Sequence, residues 1–339
     1  MDAILLFSAL ISLILTMLIL PKWIKKCNQV DLLWEDMNKY GHPKNVASSG
    51  GVVVILAFMI GILFYIAIRT FVFREGDNIT LSVIAMLCSI LILALIGTID
   101  DFLGWKHGGL SVRIRLFLAF AASIPLVVIN SGQSVINLPI LGNINLGLIY
   151  PLVFIPLGIA GASITYNFLA GFNGLEAGQG IIILSFLSFI AYITGSSWLA
   201  LMGLCMIAGL LVFYYYNKVP AKVFPGNALT WSIGGLIAMI AILGNFEKIA
   251  VFIFIPYILE TMLKLRGKLK KQSFGIPDAN NNLRKPYGGK IYGITHLAIY
   301  ILGKFKREIK EKDVVYFIFA IQIVICLLAL LIFRNTLFI

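Results

Sequence analysis

Charged residues are scarce in this chain. Only 12% of its 339 residues are Asp, Glu, Lys or Arg, whereas 60% are hydrophobic, and a soluble globular domain has about 25% charged residues. This shortage excludes a fold whose whole surface faces water. Cysteine is scarce as well: the four cysteines lie at positions 27, 88, 205 and 326, with no CxxC spacing. The sequence therefore predicts neither a zinc site nor a disulfide framework.

Long apolar runs make up most of the sequence. A hydrocarbon core about 30 Å thick needs about 20 apolar residues per helix. The runs are continuously apolar rather than alternating, which favours membrane-spanning helices over a β-barrel. We predict an all-α polytopic membrane protein, a single domain over residues 1–339. Its ten predicted spans are 3–20, 52–68, 79–99, 116–130, 148–166, 180–194, 198–216, 229–243, 249–263 and 315–333.

The basic residues predict the orientation. If the N-terminus lies outside, 23 of the 27 Lys and Arg fall in the five inner joints between spans, as the positive-inside rule requires. Most of them follow the ninth span, in a predicted cytoplasmic loop region at about 265–314. The net charge of +12 is thus mainly a topology signal. Because these residues border spans and are not interleaved with exposed aromatics, we expect no nucleic-acid partner.

Two adjacent carboxylates end the third span. Asp100 and Asp101 directly follow an uncharged apolar run, and paired acids at a membrane surface are costly unless a cation compensates them. A metal, a Lys/Arg cluster or a bound phosphate complex would supply that compensation. The alternative is a solvated helix end neutralised by Lys106 and Arg113.

The joint after the fifth span is the most informative segment. Residues 165–180, TYNFLAGFNGLEAGQG, hold four glycines and no Lys or Arg. Glycines permit close backbone approach to a ligand, and amide side chains supply donors and acceptors for a base edge or a metal. Its polar candidates are Asn167, Asn173, Glu176 and Gln179. The alternative is a turn that joins two helix ends.

Two further joints carry polar or aromatic candidates. In the joint at 214–228, Phe224 offers a flat face, and Gly226 with Asn227 opens the next span. The first inner joint places Asp36, Asn38, Lys39 and Lys44 ahead of a small-residue run. The free N–H groups at the start of the second span can hold an anion, but taken alone this run favours capping of that span by Ser48 or Ser49.

The order of these motifs resembles a known family. EDMNK, TIDDFLGWKH, YNFLAGFNGLEAGQG and KVFPGN are similar to the polyprenyl-phosphate N-acetylhexosamine-1-phosphate transferase superfamily, glycosyltransferase family 4. The likeness is greatest to the archaeal and eukaryotic dolichyl-phosphate branch. It implies ten spans, a cytoplasmic active site and Mg²⁺, with Mn²⁺ as a second candidate. It also implies transfer of a sugar 1-phosphate from a UDP-sugar to a lipid phosphate, with release of UMP.

The resemblance assigns roles residue by residue. Asn167 and Asn227 match metal-ligand positions, although the family usually has Asp at the second of them. Asp100 and Asp101 match the acidic pair that serves the lipid phosphate and the metal environment. The remaining matches are Arg115 where a Lys is usual, Ser48 where a Glu is common, Gly171 and Asn173 at uracil-contacting positions, Phe224 at the stacking aromatic, and Met37 at a uridine-contacting position.

Sugar recognition is predicted in the loop before the last span, which holds Arg284 and His296 but no HxH-type triad. We therefore expect a UDP-N-acetylhexosamine, UDP-GlcNAc first among them, and a structural role is the alternative for His296. Asn38, Lys39 and Glu176 complete the predicted substrate-binding set.

The predicted setting is the lipid bilayer of an archaeal cell, or the endoplasmic reticulum if the chain is eukaryotic, with a homodimer as a further expectation. A bacterial-type undecaprenyl-phosphate transferase is one competing function. A secondary transporter is another, but transporters need ionisable or broken-helix sites near mid-bilayer. Glu260 is the main acid that lies away from the helix ends and loops.

Overall fold

The computed structural model describes residues 2–74, 78–132, 135–138 and 142–337. The protein is an all-α polytopic membrane protein whose only strands, in these ranges, form short hairpins. The helices are α1 Asp2–Gln29, α2 Gly51–Ile68, α3 Asn78–His107, α4 Val112–Ala121, α5 Ile124–Val128, α6 Ile155–Phe168, α7 Leu175–Ile193, α8 Ser197–Asn217, α9 Gly226–Gly244, α10 Glu247–Ile253, α11 Ile255–Arg266, α12 Ile294–Leu302 and α13 Glu311–Leu337.

Among the described residues, eight helices are long and apolar enough to cross a bilayer. They match eight of the ten predicted spans. The other two predicted spans are not single helices: 116–130 is divided into α4 and α5, and 249–263 into α10 and α11. Pro125 and Pro256 lie in the first turns of α5 and α11. Proline suits a helix start because it has no N–H to donate to the preceding turn.

Three two-stranded antiparallel hairpins lie between the helices. They pair β1 Leu33–Glu35 with β2 Lys44–Ala47, β3 Val135–Leu138 with β4 Gly142–Asn145, and β5 Ile276–Pro277 with β6 Leu283–Arg284. The first hairpin lies in the first inner joint, where Leu33 is opposite Ala47. Ala47 also forms a parallel bridge to Val223. The first and seventh joints are therefore joined through their backbones.

Helix α9 is the central helix of the bundle. Every residue from Ala228 to Ile242 is buried, and α9 packs against α3 and α6 over long contacts. Small residues permit this close packing. A Cβ added at Gly97 of α3 would lie 2.4 Å from the Ala228 nitrogen, and one at Gly234 would lie 2.5 Å from the Ala162 oxygen. The end of α3, which carries the two aspartates, is thereby pressed against the beginning of α9.

Candidate active site

A cavity of about 840 Å³ opens where the first, third, fifth, seventh and ninth joints meet. Since these are the joints that the basic residues predict to be cytoplasmic, the cavity lies on the predicted inner face. It brings together ten of the fourteen predicted site residues: Met37, Asp100, Asp101, Arg115, Asn167, Gly171, Asn173, Glu176, Phe224 and Asn227. Four predicted residues, Asn38, Lys39, Arg284 and His296, are not part of its described lining.

Asp100 is buried and surrounded by donors. Its Oδ1 accepts from the Leu110 N–H at 2.6 Å and lies 3.0 Å from Arg115 Nη2, while its Oδ2 accepts from Asn227 Nδ2 at 2.7 Å. Lys106 and Arg113 were the neutralising cations of the alternative interpretation. In the structure the cation paired with Asp100 is Arg115, whose side chain is 32% exposed. A guanidinium so placed keeps donors available for a second anion.

Asp101 is held by the beginning of α9. Its Oδ1 accepts from the Asn227 N–H at 2.8 Å, and its Oδ2 accepts from Ser49 Oγ at 3.0 Å. Gly226 makes this approach feasible, because it has a φ of +69° and a Cβ added there would lie 2.2 Å from Asp101 Oδ2. An exposed N–H at a helix start favours a carboxylate in this position.

Amide oxygens complete the polar end of the cavity. Asn167, in the last turn of α6, accepts from Thr230 Oγ1 at 2.9 Å. Asn227 uses its Nδ2 on Asp100, and its Oδ1 accepts no hydrogen bond from the residues that the structure describes. Within the same ranges, no group of three or more His, Cys, Asp or Glu could hold a metal. Oxygen donors with a single carboxylate, Asp101, nevertheless fit Mg²⁺, which is usually held by one or two carboxylates, waters and substrate phosphates.

The Asn/Gly-rich segment is shorter as a loop than predicted. Helix α7 begins at Leu175, so Glu176 lies in its first turn and is buried. Glu176 Oε1 accepts from the Gly171 N–H at 2.8 Å, which folds the loop back on the helix. Gly171 has a φ of +110°, and a Cβ added there would lie 2.6 Å from the ring of Phe274. The ring of Phe274 therefore covers the backbone of the loop.

Phe224 is positioned by main-chain pairing rather than by its own side chain. The Phe224 N–H donates to the Ala47 oxygen at 2.8 Å, and the Phe224 oxygen accepts from the Gly50 N–H at 3.0 Å. The two paired segments both form part of the cavity wall. The aromatic ring, half-buried, lines the cavity and offers a face on which a base can stack.

Lys39 and Asn38 lie behind the cavity wall. Lys39 Nζ forms an ion pair with Glu311, at the beginning of α13. Asn38 is buried, donates through Nδ2 to the Gly171 oxygen at 2.7 Å, and accepts from the Gly275 N–H at 3.1 Å. These side chains join three joints, and neither is part of the described cavity lining.

Arg284 and His296 also lie away from the cavity. Arg284 is an exposed residue of β6. His296 is buried in α12, and its Nδ1 accepts from the Tyr292 N–H at 3.3 Å. Burial, together with the charge of Lys264, lowers the pKa of His296 to about 4. The structural alternative for His296 is the one that this geometry favours.

Glu311, Asp36 and Ser49 are the polar side chains of the site whose roles the sequence did not reveal. Glu311 is buried and lies near the predicted start of the last span, among many Lys and Arg. An acid at a helix start is a common dipole partner, so its sequence position carried no signal.

Comparisons with known proteins show the family to which the chain belongs. The family described as Glycosyl transferase family 4 matches residues 83–245. A Saccharolobus solfataricus protein with the provisional name UDP-N-acetylglucosamine–dolichyl-phosphate N-acetylglucosaminephosphotransferase is 34% identical over 92% of both chains. A Dictyostelium discoideum protein of the same name is 30% identical over 84% of this chain and 77% of its own. A phospho-N-acetylmuramoyl-pentapeptide-transferase of Streptococcus thermophilus is 30% identical over 76% of this chain and 77% of its own.

The chain is thus a polytopic membrane glycosyltransferase with a polar cavity at one face of its helix bundle. The chain belongs to glycosyl transferase family 4.

Proposed function

We propose that this protein transfers GlcNAc 1-phosphate from UDP-GlcNAc to a polyprenyl phosphate of the dolichyl type, and that it releases UMP. The observation that carries the proposal is the cavity itself, which gathers the Asp100–Asp101 pair, Arg115, Phe224 and the Asn/Gly-rich loop in one place. The printed names of the Saccharolobus and Dictyostelium relatives state this donor and this acceptor.

The reaction needs no strong base. A phosphate monoester has a second pKa of about 6, so the lipid phosphate is mostly a dianion at neutral pH. One of its oxygens attacks the phosphorus that bears the sugar. The bond between this phosphorus and the oxygen that bridges the two phosphates of UDP-GlcNAc breaks, and UMP leaves with the bridging oxygen. No proton is gained or lost in this exchange, so the protein has to position and neutralise anions.

Arg115 is the side chain best placed for that neutralisation. It borders the cavity, and its guanidinium is held in place by Asp100. Because Asp100 is saturated by donors from Leu110, Arg115 and Asn227, it serves to orient Arg115 rather than to accept a proton. This arrangement presents a fixed fork of N–H donors to a phosphate.

Asp101, Asn167 and Asn227 are the residues that would hold Mg²⁺, with Mn²⁺ as the second candidate. Bound there, the ion would neutralise the diphosphate of the donor. Asp101 supplies the one carboxylate of the set, and the N–H of Asn227 together with Ser49 Oγ fixes its orientation. The half-buried side chain of Phe224, which lines the cavity, would stack on the uracil.

The transporter alternative loses its main support. Glu260 is buried, but its carboxylate accepts from the backbone N–H of Ile294 and lies 3.7 Å from Lys264 Nζ. Because Lys264 already compensates the charge of Glu260, and Ile294 at the start of α12 donates to it, this acid does not mark a binding site for a transported cation. For the acceptor, the 34% identity over 92% of the Saccharolobus chain favours dolichyl phosphate in an archaeal cell membrane over undecaprenyl phosphate.

The test is transfer of radiolabelled GlcNAc 1-phosphate from UDP-GlcNAc to dolichyl phosphate by the purified full-length protein, with Mg²⁺ or with chelator. We expect a lipid product that requires the metal and that Asp101→Asn abolishes. Asp313→Asn is the matched control, because Asp313 pairs with Lys306, whose side chain is half-exposed, outside the cavity. Absence of product with several UDP-sugars and polyprenyl phosphates would refute the proposal.

A further inference from the structure

The side-chain amide of Asn173 is held in one orientation by two carboxylates. Its Nδ2 donates to Asp36 Oδ2 at 2.8 Å and to Glu311 Oε2 at 3.2 Å. The main-chain N–H of the same residue donates to Glu311 Oε1 at 2.8 Å. All three groups are buried.

The two acids exclude the flipped amide. An ionised carboxylate accepts hydrogen bonds and cannot donate them. If the Asn173 amide were rotated by 180°, its oxygen would meet two carboxylate oxygens at hydrogen-bonding distance, which is repulsive. Glu311 also forms an ion pair with Lys39 Nζ and accepts from Asn38 Nδ2 at 3.2 Å, so hydrogen-bond donors surround its carboxylate. The orientation of the amide therefore follows from charge and not only from shape.

The locked orientation leaves the amide oxygen as the atom available to a ligand. Asn173 lines the cavity, and its Oδ1 accepts no hydrogen bond from any residue in the described ranges. At this point the cavity wall presents the acceptor Asn173 Oδ1, whereas the donor Nδ2 of the same amide is already bonded to Asp36 and Glu311. A ligand group that meets Oδ1 must itself donate.

We infer that Asp36 and Glu311 are specificity-determining positioning residues: by fixing the Asn173 amide, they make the cavity select a pyrimidine base that has a ring N–H over one that has a bare ring nitrogen. This inference rests on the proposed function, which places a uridine nucleotide here. Uracil has a donor at N3, whereas cytosine has a lone pair there and must shift along the ring to bring its amino group to Oδ1. Asp36 borders the cavity and Glu311 is not part of its described lining; both would act through the Asn173 amide that they hold.

The experiment is calorimetric titration of the full-length protein in detergent with UMP and with CMP. For the wild type, we expect UMP to bind about tenfold or more tightly than CMP, the usual effect of one mismatched buried hydrogen bond. Asp36→Asn and Glu311→Gln each remove one carboxylate at constant size, and we expect both to lower the UMP preference. In the double variant, the amide can turn over, and the preference should fall to about twofold or less.

The ratio of the two affinities separates positioning from simple support of the fold. A variant that only loosens the structure would weaken UMP and CMP equally and keep their ratio. That result for the double variant would overturn the inference and leave the proposed function intact. If the wild type bound neither UMP nor CMP, the inference and the proposed function would both be refuted. Asp36→Asn supplies the test if Glu311→Gln does not fold, and Asp313→Asn, in the same turn of α13, should keep the wild-type ratio.

Discussion

The contact between Gly226 and Asp101 gives the sharpest prediction about the site. In Gly226→Ala, the new Cβ would lie 2.2 Å from Asp101 Oδ2, so the carboxylate or the start of α9 must move by about 1 Å to reach ordinary contact distance. The backbone adds strain, since a φ of +69° costs a residue with a side chain about 1–2 kcal/mol. Movement of the carboxylate also weakens its hydrogen bonds from Asn227 and Ser49, at about 1.5–3 kcal/mol each.

Together these terms amount to roughly 3–6 kcal/mol if only part of the hydrogen bonding is lost. A displacement of about 1 Å in a catalytic group reduces the rate about a hundredfold. We therefore expect Gly226→Ala to lower kcat for GlcNAc 1-phosphate transfer by that factor and to lower the thermal midpoint in detergent.

The matched control is Gly161→Ala, since Gly161 lies in α6 and an added Cβ would have nothing within 4 Å. Alanine is the better helix former there by about 1 kcal/mol, so this variant should be fully active and at least as stable. Wild-type kcat and thermal midpoint in Gly226→Ala would refute the close approach of Asp101 to α9.

Three other variants test separate parts of the site. Asn227→Asp would place a second carboxylate against Asp100, where Asn227 Nδ2 now donates at 2.7 Å. We expect this variant to have a lower thermal midpoint in chelator, and Mg²⁺ to restore it. A midpoint that responds to neither chelator nor Mg²⁺ would remove Asn227 from the metal environment. Phe224→Leu should weaken UMP binding about tenfold through loss of base stacking, as calorimetry would measure; unchanged affinity would place the base elsewhere. The folded pKa of His296, about 4, is below its unfolded value, so stability should be lost as pH falls from about 6.5 toward 4. His296→Gln should flatten that part of a midpoint-against-pH curve, and an equally steep curve would show that other groups cause it.

The apolar runs were sufficient to predict the membrane fold, because run length and the bilayer together determine where a helix must lie. They failed at Pro125 and Pro256, where local backbone chemistry divides a run that hydropathy alone joins. Asp100 and Asp101 could be singled out as candidates because paired acids are costly at a membrane surface, and both line the cavity. Asn38 and Lys39 could not be placed, since their partner Glu311 lies more than 270 residues away in sequence.

The place of Glu311 in the last helix has a consequence for how the protein is made. Its carboxylate supplies the acceptors for Asn38, Asn173 and Lys39, which belong to segments synthesised long before it. A chain synthesised only as far as α12 holds the four motifs that resemble the family, yet its Asn/Gly-rich loop lacks the acid that orients Asn173. Maturation of the active site therefore awaits the insertion of α13, and truncation at about residue 310 should produce a membrane-embedded but inactive protein.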